Sequence, residues 1–205
     1  MGVVLKIESL KKSYNEKLVF EALNLEINSK SIFWIQGYNG SGKSTLMKII
    51  ASQIEDYEGN VSYKNISIKK IGYEIHNEIF YLPSLSNLYE GLTIEENIYF
   101  FSNIFDSKGK ERMNELITIF NLNTYLNTRI SELSDGIKKR VALAISFLIN
   151  SKVLLLDEPY SYLDSKSVDS LNQTIGKYKE GGGTIIISDN SLFVEELSPD
   201  DSFQL

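Results

Sequence analysis

Gly37-Tyr38-Asn39-Gly40-Ser41-Gly42-Lys43-Ser44-Thr45 is the stretch that decides how the rest of the chain is read. It follows Ser31-Ile32-Phe33-Trp34-Ile35, a short apolar run with strand character, and it precedes Leu46-Met47-Lys48-Ile49-Ile50, which opens as a helix. Strand, glycine-rich turn and helix in that order are the setting in which such a loop holds phosphate. Gly37, Gly40 and Gly42 let the backbone turn tightly and aim successive amide hydrogens at one point, at the positive end of the helix. Lys43 is expected to place its ammonium between terminal phosphates, and Ser44 to offer its hydroxyl to a magnesium ion (Mg2+) bridging them. Thr45 is a neighbouring hydroxyl for the first phosphate, and Asn39 and Ser41 complete the loop expected to line the nucleotide.

A second segment supplies what the loop lacks. Val153-Leu154-Leu155-Leu156-Asp157-Glu158-Pro159 is a buried-strand pattern ending in two adjacent carboxylates, as at the carboxyl edge of a parallel sheet. Alone, an Asp-Glu pair there reads equally as a helix cap or surface charge. Beside the loop, Asp157 reads as the outer ligand of the metal held by Ser44, and Glu158 as the group that orients an attacking water.

Composition narrows the remaining classes. A chain of 205 residues can bury one good core, so one domain with an embedded lobe fits better than two independent ones. Without cysteine there is neither a disulfide framework nor a thiolate metal site, and one histidine excludes a histidine-rich centre. No apolar run approaches the ~18 residues of a membrane span, and Met1-Gly2-Val3-Val4 leads into an alternating segment rather than a signal peptide. A net charge of -6 disfavours a broad nucleic-acid-binding face. The compact basic cluster Lys138-Lys139-Arg140 reads first as a solvated helix face, with contact to phosphates or a partner as its other reading.

Periodicity orders the elements. Val4-Leu5-Lys6-Ile7-Glu8, Leu18-Val19-Phe20 and Leu23-Asn24-Leu25-Glu26-Ile27 predict strands joined too closely for crossover helices, hence antiparallel. Val61-Ser62-Tyr63, Ile66-Ser67-Ile68 and Ile71-Gly72-Tyr73 add extended candidates, and Ile79-Phe80-Tyr81-Leu82 a strand ended by Pro83. From Thr93 the period becomes helical: Thr93 caps a helix through Glu95-Glu96 with Ile94, Ile98 and Phe101 on one face, and Lys110 to Phe120 follows as another. Ser134 is expected to cap a helix reaching Leu148, and Ser165 to Tyr178 forms the next. Thr184-Ile185-Ile186-Ile187 should be a central parallel strand, and Ser191 to Leu197 a short helix with little chain beyond it.

These motifs, in this order and over almost the whole chain, resemble the nucleotide-binding subunit of an ATP-binding-cassette transporter. The resemblance implies an α/β fold of phosphate-loop type: a mixed central sheet, an N-terminal antiparallel β region and an inserted α-helical subdomain. The expected division is a core of 1–83 and 133–205 with a helical insertion at 84–132, in one domain of 1–205. It implies ATP and Mg2+ as ligands, with Tyr14 stacking on adenine and Glu158 as the catalytic glutamate. Leu133-Ser134-Asp135-Gly136-Ile137 stands where the family signature normally reads Leu-Ser-Gly-Gly-Gln, and there Ser134 and the amide of Gly136 are expected to reach the nucleotide of an opposite subunit. Tyr162-Leu163-Asp164 resembles the adjacent loop crossing that dimer interface, with Asp164 organising it.

The chain also departs from the family. Ser84 replaces a metal-sensing glutamine with a side chain too short for direct contact, Asp135 and Ile137 alter the signature, and Asp189 replaces the histidine that contacts the terminal phosphate. An ionised Asp189 cannot donate to phosphate; its simplest reading is a turn aspartate facing solvent, with Asn190 beside it as a donor. The resemblance then implies retained ATP binding with slow or partner-dependent hydrolysis. Implied partners are a second nucleotide-binding subunit, identical or not, and a separate transmembrane subunit engaged around 84–99 at the cytoplasmic face of the membrane, with a lean toward export. The competing readings are a soluble cassette ATPase acting on nucleic acid or the ribosome, and a nucleotide-responsive structural subunit without useful turnover.

Overall fold

The computed structural model describes residues 2–15, 17–85, 87–105 and 110–205, with only the backbone at 110. The expected insertion at 84–132 and docking surface at 84–99 therefore include residues outside the described ones. The first sheet has the order β2 (Lys17–Asn28), β1 (Val3–Tyr14), β4 (Glu58–Tyr63), β5 (Ile66–Ser67), and each of its pairings is antiparallel. The second runs β6 (Ile79–Leu82), β7 (Val153–Asp157), β8 (Thr184–Ser188), β3 (Ile32–Gln36), β9 (Asp201–Gln204), with every pairing parallel. Among the named strands, antiparallel pairing is thus confined to the first sheet; an isolated antiparallel bridge joins Thr93 to Arg129.

Two-residue alternation divides the parallel strands between two cores. Leu154, Leu156, Ile185 and Ile187 face the cluster that holds α5 (Asp135–Ile149) and α6 (Ser165–Glu180). Val153, Leu155, Ile186, Phe33 and Ile35 face the cluster shared with the first sheet and α1 (Lys43–Ile50). Because β7 and β8 are covered on both sides, their sequences are nearly continuous aliphatics, as predicted for a central strand.

Between β6 and α5 lie α3 (Ile94–Ile104) and α4 (Lys110–Ile119), which pack on α5 through Ile94, Ile98, Leu116, Ile117 and Phe120. The start of α3 carries the predicted capping box: Thr93 Oγ1 accepts from the Glu96 amide at 3.2 Å, and the Glu96 carboxylate accepts from the Thr93 amide at 2.8 Å.

Two local expectations need correcting. Ile66-Ser67-Ile68 and Ile71-Gly72-Tyr73 are not a pair of extended segments: the strand stops at Ser67, α2 occupies Ile68–Ile71, and a 3₁₀ turn follows over Gly72–Asn77. Burial explains it, since Ile68 and Ile75 are drawn into the core by a helical turn where strand alternation would spread them over two faces. The chain also continues after α7 (Phe193–Glu196) into β9, which lies parallel to β3 and was missed. Its sequence Asp201-Ser202-Phe203-Gln204 is too polar to announce a strand. Position supplies the reason, because an edge strand with one face partly covered needs only Phe203.

Candidate nucleotide site

The carboxyl ends of β3, β7 and β8 lie side by side and deliver Gly37, Asp157-Glu158 and Asp189 to one edge of the sheet. The loop after β3 returns to the helix through Gly42, the N-cap of α1, at φ 110°. A side chain there is excluded twice over, by that left-handed φ and by Val19 Cγ1, which a Cβ would approach to 2.7 Å. Lys43 opens α1 but folds back into the loop, where its buried ammonium donates to the carbonyls of Gly37 at 2.5 Å and Tyr38 at 3.2 Å.

A cavity of about 510 Å³ opens over this loop, lined by Tyr14, Lys17, Leu18, Val19, loop residues 38–45 and Glu158. Gly37 is not on its wall; it is buried beneath, against Leu205. Tyr14 is half exposed at the rim with Lys12 Nζ 4.6 Å from its ring centroid, a cation–π contact that orients the ring. Ser41 carries a buried hydroxyl without a hydrogen-bond partner. In a loop of converging amides, that orphaned donor and the Lys43 ammonium fit a polyanion.

Asp157 lies 1% exposed and has both oxygens engaged: Ser188 Oγ donates to Oδ1 at 2.8 Å and Tyr81 Oη donates to Oδ2 at 3.0 Å. Burial and the Asp157 charge push the Tyr81 pKa up, so the phenol stays a donor. Glu158 adopts φ 47°, a left-handed conformation costly for a side-chain-bearing residue, and its amide is held by the Ser188 carbonyl at 2.7 Å. That twist turns Glu158 out of the strand alternation and onto the cavity wall. The donor set of the Ser44 hydroxyl and the Asp157 carboxylate suits Mg2+, a hard cation that takes oxygen ligands.

Asp189 does not face solvent, contrary to the expected turn aspartate. It is 7% exposed; Oδ1 accepts from the Ser191 amide at 2.8 Å and Oδ2 from the Tyr160 amide at 3.3 Å. Its carbonyl takes the Trp34 indole at 2.9 Å, and burial pushes its carboxyl pKa up. The turn instead presents Asn190 to the loop, where Nδ2 donates to Asn39 Oδ1 at 3.1 Å.

The signature segment lies apart from this cavity. Ser134 takes the N-cap position of α5, yet its side chain makes no capping bond, which corrects the expectation of a capping serine. Ser134, Gly136, Ile137, Arg140, Tyr162, Asp164 and Ser167 line an open hollow of about 350 Å³ that shares no residue with the loop cavity. Asp135 is exposed and outside that lining. At Gly136 a Cβ would come within 2.8 Å of the Tyr162 carbonyl, so glycine lets the two segments touch. Asp164 caps α6, accepting from the Ser167 amide at 2.8 Å.

Tyr81, Ser188 and Lys139 were not assigned to the site by sequence, and Asn190 was read only as a donor beside Asp189. Of the basic cluster, Lys139 is not on a solvated face: it is 3% exposed, and its ammonium donates to the Ser84 carbonyl at 3.2 Å. The helical period could have flagged it, since Lys139 stands three and four residues before the buried Ala142 and Leu143.

The geometry agrees with likeness to known proteins. The ABC transporter family model matches residues 20–161. The cytochrome c biogenesis ATP-binding export protein CcmA of Aliivibrio fischeri is 31% identical, the match covering 94% of this chain and 95% of that protein. An ABC transporter ATP-binding protein of Methanocaldococcus jannaschii, MJ1023, is also 31% identical, over 92% of this chain and 68% of its own length. Among solved structures, the dimeric post-hydrolysis state of the cassette MJ0796 bound to ADP and Pi superposes with a TM-score of 0.87 at 27% identity, covering 98% of this chain and 94% of that one. By the family model and by its likeness to these ATP-binding proteins, the chain belongs to the ABC transporter family.

Proposed function

We propose that this chain binds Mg-ATP in the cavity over residues 38–45 and, paired with a second cassette, couples slow or partner-dependent hydrolysis to the movement of a separate membrane subunit. The observation that carries the reading is the convergence on one cavity of the Lys43 loop and the Glu158 carboxylate, with Asp157 buried at the same sheet edge. Tyr14 takes the adenine, the loop amides with Ser41 and Lys43 take the phosphates, and Thr45 adds a hydroxyl. The Ser44 hydroxyl and the Asp157 carboxylate would hold Mg2+, whose chemistry there would be to offset charge on the terminal phosphates. Glu158, held out by its left-handed backbone, orients the attacking water in line with the terminal phosphoryl group, while Lys43 stabilises the charge that develops.

Ser134 and Gly136 stand in a hollow of their own and serve the nucleotide of the opposite subunit. The membrane subunit docks around residues 84–99, where Tyr99 of α3 exposes apolar area beside Leu92 and continues into the exposed Ile104 just beyond that range. No helix among the described residues is long and apolar enough to cross a membrane. Several similar proteins are named export proteins, which favours export.

Turnover is slow because the side chains that would tighten the closed state are altered. Asp189 is turned inward, so its charge does not oppose phosphate, yet a donor is missing from that position; Asn190 at the edge of the loop is the nearest substitute. Steady-state ATPase of the purified chain, alone and with the membrane subunit that co-purifies, tests this. Low activity alone and a rise in the complex support it; full-speed hydrolysis by the isolated chain overturns the impaired reading.

A further inference from the structure

Lys12 is a cation at a position that the strand period assigns to the core. It stands two residues after the buried Leu10 on the same face of β1, opposite the buried Phe20 of β2, and is itself only 5% exposed. An apolar side chain there would be buried without the cost of desolvating a charge. The partners show what the charge holds: the ammonium donates to the Asp56 carbonyl at 2.6 Å and to its carboxylate at 3.0 Å, and lies 4.6 Å from the centroid of the Tyr14 ring. Asp56 follows α1 by six residues, in the segment that leads from α1 into β4. Lys12 thus ties Tyr14, the last residue of β1, to the chain that runs on from the phosphate-loop helix. Tyr14 needs such an anchor. It forms the last rung of the β1–β2 ladder, opposite Lys17, its ring is half exposed, and no other ring among the described residues stacks on it. Tyr14 lines the nucleotide cavity whereas Lys12 does not, so the cation backs the ring from outside the cavity.

We propose that Lys12 is a positioning residue for the nucleobase: held by Asp56, it fixes the Tyr14 ring at the cavity rim and draws the ring's π density toward the ammonium, leaving the opposite face to take the base. The inference rests on the cavity being a nucleotide site with Tyr14 as its base platform. Two effects add. A ring fixed ahead of binding has less rotamer freedom to lose when the base arrives. A cation on one face also lessens the repulsion between π clouds that opposes stacking on the other. Both act on the base and neither on the phosphates, which the Lys43 loop holds.

Calorimetry on the full chain with magnesium chloride present compares two probes: a non-hydrolysable ATP analogue, which carries a base, and inorganic tripolyphosphate, which does not. Lys12→Met keeps the length and the apolar stem but removes the charge. Affinity for the analogue should fall about threefold to tenfold, and affinity for tripolyphosphate should stay at the native value. Lys12→Arg should restore the analogue, because a guanidinium also stacks on an aromatic face. Tyr14→Ala should itself weaken the analogue, and adding Lys12→Met to it should cost nothing more. A packing role alone would weaken both probes together, or would add its full cost on top of Tyr14→Ala. If Lys12→Met does not fold, Lys12→Gln, which can still donate to the Asp56 carbonyl, gives the same readings. Native affinity for the analogue in the neutral variant, or an equal loss with and without the Tyr14 ring, overturns the inference alone. Native affinity in Tyr14→Ala overturns the base platform, and a native chain that binds neither probe overturns the nucleotide site.

Discussion

The phosphate loop and the signature segment are both turns into the N-terminus of a helix, and they are finished to different degrees. Around 37–45 the protein supplies its own partners: Lys43 is held by two loop carbonyls, Asn39 by Asn190, and Gly37 by the packing of Leu205. At 133–137 the Ser134 side chain caps nothing, Asp135 is exposed, and the hollow beside them opens outward. A helix N-terminus with unused donors in an open hollow is half of an anion site. The difference is what the proposed function requires: a first turn that binds within one chain and a second that binds only against another.

The comparison breaks most visibly at Lys43 and Glu158. Removing the ammonium in Lys43→Ala leaves the loop carbonyls without their cation and the phosphates without theirs; loss of about 2–5 kcal/mol of ATP binding is expected by calorimetry. Unchanged affinity would detach the loop from nucleotide. Glu158→Gln keeps the side chain's shape and the left-handed turn but removes the carboxylate, so ATP affinity should hold while single-turnover hydrolysis falls by about 10²- to 10⁴-fold. Turnover at the native rate would remove Glu158 from its role.

Finer tests act on the second turn. Gly136→Ala sets a methyl within 2.8 Å of the Tyr162 carbonyl, so the signature turn must shift. ATP-dependent dimerisation, followed by sedimentation in the Glu158→Gln background, should weaken by about 1–3 kcal/mol while monomer ATP affinity stays put. Asp135→Gly removes an exposed negative charge near the expected phosphate and should strengthen the dimer by up to about 1 kcal/mol, an effect that salt abolishes.

The smallest change is Asp164→Ala, which removes the α6 cap and should lower stability to urea by about 1 kcal/mol. The bond to Ser167 holds the Asp164 carboxyl below its ordinary pKa. The cap contribution is therefore full above the unfolded value of about 3.9 and is lost as pH falls through the lower folded value. A variant with the native pH profile of stability would show that the cap contributes nothing.

What the sequence made legible follows a physical divide. The loop, the acid pair after β7 and the capping box at Thr93 are local: each works through neighbours in the chain, so its residue types and spacing carry the message. Lys139, Asp189 and Asn190 are set by what other segments bring to them, namely Ser84, the Tyr160 amide and Asn39. Asp189 stands out in sequence for what it replaces, and only the amides of Ser191 and Tyr160 show that its carboxylate turns inward. The polar strand β9 stayed hidden because its pairing with β3, not its composition, makes it a strand.

That pairing bears on timing. The Asp200 carboxylate accepts from the Ile32 amide across a separation of 168 residues, and the Leu205 amide donates to the Gln36 carbonyl immediately before the phosphate loop. Contacts so distant along the chain are slow to close and cannot form until both partners have left the ribosome. The loop is thus synthesised well before its side wall, so competence to hold nucleotide should appear only after residues 201–205 have joined the sheet.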